Sequence, residues 1–397
     1  MKVLLIGAGM MGRGGVRALE HFDGIESVTV ADLNVEAAQE FADSLNFPET
    51  NAVQLDVTDT DKVTELAKDV DVVFNAVGPF VKFGVPILRA VIAAGTDYVD
   101  VCDDGDATID LLGLHDEAKE AGVTALITMG QTPGIANMQA KYVSEMLDEV
   151  DSIKIAWAVG TPPADMLPDG AADAYDFETA EDFKKASPAG WDHLVHSATG
   201  EIPVWKDGKA STMPAWDSGE YVDFAAPFGR THTYYVGHPE PVTLPRYIDI
   251  KDFAACLGGN KFHEELRLEG RGYSDPKEPL VDPGTPVWQA PEKWLDKGVW
   301  QGQAAIVEGT KDGKKVRYTN RHQCSVYDEG IYTFAGQAIG IYLVGTTKDL
   351  PAGVYAPEGL LSTDDFFREL VRITNAANDW DFTLDELVPT QKEVLDN

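Results

Sequence analysis

A glycine-rich turn between a strand pattern and a helix pattern constrains the fold of this chain more than any other feature. Residues 3–14 read VLLIGAGMMGRG, in which an apolar run leads into Gly7, Gly9 and Gly12. This G-x-G-x-x-G spacing is typical of a dinucleotide-binding turn. The first glycine permits the tight turn, the second lets backbone approach a pyrophosphate, and the third lets the helix pack on the strand.

The alternation of strand and helix continues through the first 130 residues. Apolar strand patterns start near residues 2, 27, 52, 71, 97 and 123, and helical patterns lie between them. Near-continuous apolar strands separated by helices indicate a parallel sheet covered on both faces. The sequence therefore predicts an α/β fold with an N-terminal Rossmann domain, a doubly wound parallel sheet.

The pattern changes after Gly134. Residues 134–150 predict one long helix, and β-rich stretches follow from Asp151 to about Tyr342. Within them, two alternating runs flank Asp312-Gly313, which predicts a hairpin. The stretch from Ala335 is helical again in pattern.

Composition limits the possible classes of protein and of partner. At 397 residues the chain is about two domains long. Its three cysteines lack CxxC spacing, and neither a secretory signal nor an apolar run long enough for a membrane helix is evident, so we expect a cytoplasmic protein. A net charge of −34 disfavours nucleic acid and anionic membranes as partners. Such a charge is typical of a surface that keeps a protein in solution, or of a protein from a salt-adapted host.

An acidic residue stands where a ribose contact is expected. Asp32 ends the second predicted strand, about 20 residues beyond the glycine turn. Its carboxylate can accept hydrogen bonds from a ribose 2′-hydroxyl and would repel a 2′-phosphate, which favours NAD over NADP. Arg13 and Arg17 lie close by and temper that preference. The alternative is a tight turn that holds no ligand.

The ends of the third and fourth predicted strands complete the candidate cofactor site. LDVTD ends the third strand, where an adenine ring would lie, and NAVGPF ends the fourth, next to the switch point of the sheet. Strand ends followed by ordinary turns would use the same residue types. The predicted cofactor-binding residues are Gly7, Gly9, Met10, Met11, Gly12, Asp32, Asp56, Val57, Asn75, Val77, Gly78 and Pro79.

Five stretches form a familiar combination: the glycine fingerprint, NAVGPFVKFGVPILRAVIAAGTDYVDVCDD, TMGQTPGIAN, GHPEPVTLPR and GVYAPEGLLSTDDFFREL. In this combination the chain resembles the saccharopine dehydrogenase family, over nearly its whole length and most closely over residues 1–140. The family includes saccharopine reductase, carboxynorspermidine dehydrogenase and lysine 6-dehydrogenase, and homospermidine synthase is more distantly similar. The resemblance implies nicotinamide-dependent chemistry at a carbon–nitrogen bond, between an amine and an imine.

The resemblance also implies an architecture. It predicts a Rossmann domain over 1–130, an α+β substrate and dimerisation domain with a mixed sheet over 131–342, and a C-terminal helical segment over 343–397 that packs back on the first domain. We therefore expect a homodimer. One departure concerns Ala335-Gly336-Gln337, where family members often carry a Gly-Thr-Gly-like turn. Substrate identity is for this reason not carried over.

Three stretches contain candidate groups for chemistry. YVDVCDDGD follows the fifth predicted strand, and either Asp100 or a neighbouring acid could hold an ammonium or carry a proton, whereas helix capping is the bland alternative. GQTPGIAN begins a helix whose N–H groups could hold a carboxylate. GHPEPVTLPR concentrates His238, Glu240 and Arg246. The predicted catalytic residues are Asp103, Cys102 and His238. The predicted substrate-binding residues are Asp104, Pro133, Gly134, Asn137, Arg230 and Arg246.

The favoured interpretation is an NAD(P)-dependent oxidoreductase that acts on an amino acid or an amino-acid-derived secondary amine. One alternative is a homospermidine-synthase-like transferase that recycles NAD. Another is a catalytically silent protein that binds a dinucleotide as a sensor or scaffold. His193 and His196 lie three residues apart without an evident third ligand, so no metal is predicted.

Overall fold

The computed structural model describes residues 1–159, 180–186, 188–216, 219–224, 229–260, 301–324 and 332–395. The strands are β1 (Lys2–Ile6), β2 (Ser27–Asp32), β3 (Glu49–Gln54), β4 (Val72–Asn75), β5 (Asp97–Asp100), β6 (Thr124–Leu126), β7 (Glu149–Val159), β8 (Glu201–Lys206), β9 (Lys209–Pro214), β10 (Gly219–Asp223), β11 (Arg230–Val236), β12 (Ile250–Asn260), β13 (Gln301–Lys311), β14 (Lys314–Cys324), β15 (Gly353–Tyr355) and β16 (Thr390–Val394). The helices are α1 (Met10–Ala18), α2 (Val35–Asp43), α3 (Thr60–Ala67), α4 (Phe80–Ala94), α5 (Gly105–Leu112), α6 (His115–Ala121), α7 (Ile135–Ser144), α8 (Ala180–Ala186), α9 (Pro188–Ser197), α10 (Glu240–Thr243), α11 (Tyr332–Thr346), α12 (Pro357–Leu360), α13 (Thr363–Asn378) and α14 (Leu384–Leu387). Among the described helices, none combines the length and the apolar character needed to cross a membrane.

The chain divides into two compact units. Unit 1 comprises residues 1–135 together with the stretch from α11 to Trp380, and unit 2 holds the intervening described residues and those from Asp381 onward. The chain therefore returns to unit 1 earlier than the predicted boundary at 343. Its final strand, β16, pairs with β14 in unit 2, so the C-terminal segment is not wholly helical.

Close packing of α11 on α1 explains the early return. A Cβ at Gly14 would lie 2.3 Å from the Phe334 ring, and a Cβ at Gly15 would lie 2.4 Å from the Gln337 side chain. Two consecutive glycines thus let the second helix approach the first to within contact of its backbone. This pairing is invisible in the sequence because its two partners lie more than 300 residues apart.

Unit 1 confirms the predicted doubly wound parallel sheet. Its described strands pair in the order β15-β6-β5-β4-β1-β2-β3, and each of these neighbouring pairs is parallel. Val3, Leu4, Leu5 and Ile6 of the central strand are fully buried, as a strand covered on both faces requires. The sequence pattern missed β15, which is only three residues long and contributes through its pairing with β6.

Unit 2 contains the predicted mixed sheet. Within the described residues its strands follow the path β10-β11-β12-β7-β13-β14-β16, with β8 joined to β12 and β9 joined to β8. β7 and β12 are parallel, whereas the other pairs are antiparallel. The predicted hairpin of β13 and β14 is confirmed. Its central residues Asp312 (φ 51°) and Gly313 (φ 73°) both have positive φ, as a type I′ turn requires.

Two helix predictions were wrong in extent. The helix predicted over 134–150 ends at Ser144, and strand β7 begins at Glu149. β7 pairs with β12 and β13, and its Ile153 and Ile155 lie in the core of unit 2. The helical pattern between the fifth and sixth predicted strands forms two helices, α5 and α6, which are separated at Gly113 and Leu114. Strand pairing ends the first of these helices, and Gly113 lies at the break in the second, although the apolar pattern of each stretch suits a helix.

Candidate functional site

The glycine turn leads from β1 into α1 with the geometry of a phosphate cradle. Gly7 adopts φ +94° and donates its N–H to the Ala31 carbonyl at 2.8 Å. A Cβ on Gly12 would lie 2.0 Å from the Gly7 carbonyl oxygen, so the third glycine is required for packing. A Cβ on Gly9, the N-cap of α1, would meet nothing within 4 Å. The turn is therefore tight at its third glycine and open at its second, as a pyrophosphate at the helix N-terminus requires.

Asp32 holds the glycine turn against the end of β2. Its Oδ2 accepts a hydrogen bond from the Ala8 N–H at 2.7 Å, and its Oδ1 accepts one from the Asn34 N–H at 2.9 Å. The carboxylate therefore lies at the mouth of the turn and retains acceptor capacity for a ribose hydroxyl, since each carboxylate oxygen has two lone pairs.

Two arginines near Asp32 are engaged with α2 and the turn that follows it. The Arg13 guanidinium lies 5.3 Å from the centre of the Phe41 ring, and its Nε donates to the Ala8 carbonyl at 2.7 Å. The Arg17 guanidinium lies 5.6 Å from the same ring and donates to Ser44 Oγ at 2.7 Å. These contacts hold both cationic groups against their own unit.

A cavity of about 230 Å³ opens at the carboxyl ends of β1, β2 and β3. It brings together five predicted cofactor residues with four that the sequence analysis did not name. Its lining residues are Gly7, Ala31, Asp32, Leu33, Leu55, Asp56, Val57, Val77 and Phe83. Apolar walls with a carboxylate at the rim fit an adenosine, which has a flat ring and ribose hydroxyls. Among these additional residues, Leu33 could have been predicted from the sequence, because it is a large apolar residue directly after Asp32.

The remaining predicted cofactor residues lie at the starts of two helices. Met10, Met11 and Gly12 form the first turn of α1, and Gly78 and Pro79 precede α4. Asn75 ends β4, but its side chain is buried: its Nδ2 donates to the Tyr98 hydroxyl at 2.9 Å, and its Oδ1 accepts from the Val77 N–H at 3.1 Å. The Asn75 amide therefore shapes the turn that carries its neighbours.

Asp100 fastens two loops at the end of β5. Its fully buried carboxylate accepts hydrogen bonds through Oδ1 from the Cys102 N–H at 3.1 Å and the Thr128 N–H at 2.8 Å. Its backbone carbonyl accepts from the Met129 N–H at 2.8 Å. Burial raises the pKa of Asp100 to about 6, against the effect of these hydrogen bonds, which favour the charged form.

Cys102 has a structural environment. It is fully buried, and its Sγ lies 3.6 Å from the Asp104 carbonyl and 3.6 Å from Thr108 Oγ1. Burial, reinforced by the charges of Asp100 and Asp103, raises the pKa of the Cys102 thiol well above its usual value. The thiol thus keeps its proton and supports the start of α5. A catalytic role for Cys102 stays a prediction.

The two acids after Cys102 differ in exposure. Asp103 is partly exposed, whereas Asp104 is 8% exposed and caps α5 through its backbone, with its carbonyl accepting from Thr108 Oγ1 at 2.8 Å. Asp103 is therefore the acid of this loop that a reactant can reach more easily.

At the start of α7, where a site for a substrate carboxylate is predicted, one backbone N–H already donates a hydrogen bond within the protein. The Ile135 N–H, the first of the helix, donates to the Gly130 carbonyl at 3.0 Å. Gly134 has φ +126°, and a Cβ there would lie 2.1 Å from the same carbonyl oxygen, so Pro133-Gly134 forms a closed turn. Asn137 is fully buried and donates to Thr243 Oγ1 at 3.1 Å within unit 2. These contacts favour a structural role for this turn.

A buried polar cluster lies in unit 2 beyond the end of β11. His238 Nδ1 lies 2.8 Å from Glu240 Oε2, and the Cys256 thiol donates to the same oxygen at 3.3 Å. The three residues are 3%, 1% and 0% exposed. The His238 ring lies 4.8 Å from the ring of Trp157 and 5.3 Å from that of His193. The structure therefore joins the predicted His238 to a carboxylate and a thiol.

Cys256 could not be found from sequence spacing. It lies on β12, and the antiparallel pairing of β11 with β12 places it opposite Val236, two residues before His238. The donor atoms of His238, Glu240 and Cys256 lie within 4.8 Å of one another, a grouping that also has the composition of a metal site. The expectation that no metal is bound stays a prediction.

The two predicted substrate arginines have different surroundings. Arg230 begins β11, and its Nη1 lies 3.6 Å from the Asp223 carboxylate on the paired strand β10. This cross-strand ion pair gives Arg230 one partner within unit 2, and its role in substrate binding stays a prediction. Arg246 ends a 3₁₀ turn, Leu244–Arg246, and is exposed.

Comparison with known proteins identifies related sequences and folds. Residues 3–126 match the family described as saccharopine dehydrogenase NADP binding domain. Carboxynorspermidine synthase from Vibrio alginolyticus is 23% identical over 98% of this chain and 98% of its own length. The protein of the same name from Vibrio cholerae is 24% identical over 79% of each chain. The fold is similar to that of apo saccharopine dehydrogenase (L-Glu forming) from Saccharomyces cerevisiae, with a TM-score of 0.62, 16% identity and 100% of both chains covered.

Proposed function

We propose that this chain is an NAD-dependent oxidoreductase of the saccharopine dehydrogenase family, acting on the carbon–nitrogen bond of an amino-acid-derived secondary amine. The observation that carries the proposal is the cavity at the glycine turn, with Asp32 at its rim and Gly9 open toward a phosphate. The amine class is supported by the near full-length similarity to carboxynorspermidine synthase.

The charges around the cavity support NAD over NADP. A 2′-phosphate would meet the Asp32 carboxylate, while Arg13 and Arg17 are bound to backbone, hydroxyl and ring groups of their own unit. The ribose 2′-hydroxyl of NAD instead offers a hydrogen bond to Asp32. This preference is opposite to the description of the matching family as NADP binding, and so it calls for a direct test.

The substitution Leu33→Arg tests cofactor choice without disturbing Asp32. The Leu33 side chain is 66% exposed and lines the cavity, so an arginine there adds a cation beside the ribose. We expect the parent protein to bind NADH more tightly than NADPH, and the variant to gain NADPH affinity by roughly 10–100-fold, since a hydrogen bond to a charged group contributes about 1.5–3 kcal/mol. Titration of cofactor fluorescence measures both, with exposed Val81→Arg as a control for added charge. A parent that prefers NADPH would contradict the assignment.

Residues of the chain supply binding and proton transfer to this reaction. When bound, the nicotinamide supplies the hydride exchange. Oxidation breaks a C–H bond, forms a C=N bond and requires that the nitrogen has first lost its ammonium proton. We assign that proton to His238 and a substrate carboxylate to the exposed Arg246, both of unit 2.

A steady-state assay separates this function from its alternatives. Purified protein is mixed with NAD and saccharopine, lysine or carboxynorspermidine, and NADH is followed at 340 nm. Continuous NADH production with one of these amines is expected. A transferase that recycles its cofactor would give products without net NADH, and a silent sensor would bind NADH without any turnover. Either of those results would contradict the proposal.

A further inference from the structure

The cluster of His238, Glu240 and Cys256 is arranged as a chain of hydrogen bonds that ends on an imidazole. We propose that Glu240 is a positioning residue which holds His238 in the tautomer protonated on Nδ1, and that Cys256 in turn orients Glu240. The catalytic consequence rests on the proposed function, in which His238 carries the amine proton. The tautomer itself rests only on the contacts within unit 2.

The donors and acceptors of the cluster determine the tautomer. Glu240 Oε2 accepts the Cys256 S–H at 3.3 Å and faces His238 Nδ1 at 2.8 Å. An ionised carboxylate only accepts hydrogen bonds, so the hydrogen between the two residues belongs to Nδ1. The neutral ring then keeps its lone pair on Nε2. This is the nitrogen that can take a proton from an amine.

Packing holds the ring in this orientation. The Trp157 ring of β7 lies 4.8 Å away and the His193 ring of α9 lies 5.3 Å away, and His238 is 3% exposed. Few rotamers are open to a side chain enclosed in this way. The hydrogen bond to Glu240 therefore selects one ring flip as well as one tautomer.

Cys256 suits its position because it remains a donor. Burial, together with the Glu240 charge, raises the pKa of the Cys256 thiol well above its usual value. A buried carboxylate is costly unless several donors satisfy it, and the thiol supplies one. When His238 takes up a proton, the resulting imidazolium faces a carboxylate already in place, so little reorganisation is needed.

Nitrogen NMR of the imidazole side chains tests the tautomer without any substrate. In the parent protein we expect one histidine, absent from spectra of His238→Gln, whose Nδ1 is protonated and whose Nε2 is not. In Glu240→Gln we expect this signal to shift toward the Nε2-protonated form, because the amide is uncharged and can present its N–H₂ group to Nδ1 in place of an acceptor. Within the part of the chain that the structure describes, Glu240, Cys256 and His193 are titratable groups close to the ring. Glu201→Gln, at an exposed position on β8, is the matched control.

Kinetics with the amine that gives turnover then tests the positioning role. We expect Glu240→Gln to lower kcat on the order of 100-fold with a smaller change in KM. Glu240→Asp keeps the charge and should recover part of the loss. If Glu240→Gln does not fold, Cys256→Val removes only the thiol donor and should lower kcat by several-fold, because an S–H group is a weak donor to the carboxylate that it orients.

The outcomes separate this inference from the proposed function. An Nε2-protonated His238 in the parent protein, or an unchanged tautomer in Glu240→Gln, would overturn it. One equivalent of zinc in the purified protein that is lost in Cys256→Val would also overturn it, because the three residues would then be metal ligands. If no amine is turned over by the parent protein, the proposed function fails while the NMR result still decides the tautomer.

Discussion

Replacing Asp100 by asparagine changes how the stability of unit 1 depends on pH. The pKa of Asp100 rises from the usual 3.8 to about 6 in the folded protein, chiefly because the carboxyl is buried. Between these values the folded chain keeps a proton that the unfolded chain has lost. This contribution to stability is fully present below pH 3.8 and is lost as the pH rises through 6. The total is about 3 kcal/mol.

Asparagine at position 100 keeps an oxygen that accepts the two backbone hydrogen bonds, but its amide does not titrate in this pH range. Its Oδ1 can still accept from the Cys102 and Thr128 N–H groups, which bind the same oxygen in Asp100. Integrated over the pH range that can be measured, the difference in proton binding predicts that Asp100→Asn gains about 1 kcal/mol of stability relative to the parent between pH 5 and pH 7.5. Lower pH is avoided because the chain has a pI near 4.4, where its solubility is lowest.

Hydrogen exchange of peptides that contain β5 is the appropriate assay. A chain with two compact units need not unfold in one step, and exchange in these peptides reports on unit 1. Comparing variant and parent at each pH cancels the intrinsic pH dependence of exchange. Asp69→Asn, at an exposed position, removes the same charge as a control. A difference between Asp100→Asn and the parent that stays constant from pH 5 to 7.5 would refute the reasoning.

Two further substitutions test the local structure of unit 1. Gly12→Ala places a Cβ 2.0 Å from the Gly7 carbonyl oxygen, so we expect this variant to have a lower melting temperature and no NADH binding. The Cβ of Gly9→Ala meets nothing within 4 Å, so this variant should fold normally and bind NADH more weakly. Equal melting temperatures for the two variants would contradict this. Ser362 caps α13, because its side chain accepts a hydrogen bond from the Asp365 N–H at 3.1 Å. We expect Ser362→Ala to lower the free energy of unfolding in urea by about 1 kcal/mol, and Ser362→Asp, which can still cap the helix, to stay close to the parent. Loss of the same size in Ser362→Asp would argue against capping.

The local chain determined unit 1 to a large extent. Apolar strands, intervening helices and the spacing of Gly7, Gly9, Gly12 and Asp32 were sufficient to predict the parallel sheet and the nucleotide end of the candidate site. These features are local, since a βαβ unit brings its own strand ends and helix start together. The Asp312-Gly313 hairpin was predictable for the same reason.

Features that depend on distant pairings were decided only by the tertiary structure. Phe334 and Gln337 return to the Gly14-Gly15 face of α1, and Cys256 reaches Glu240 because β11 and β12 pair. Burial was likewise not evident from residue type. It encloses the Asp100 carboxyl and the Cys102 thiol, both candidates for catalysis, and raises their pKa values. Sequence spacing reports what a short segment can place together, whereas the environment of a titratable group depends on every segment that packs against it.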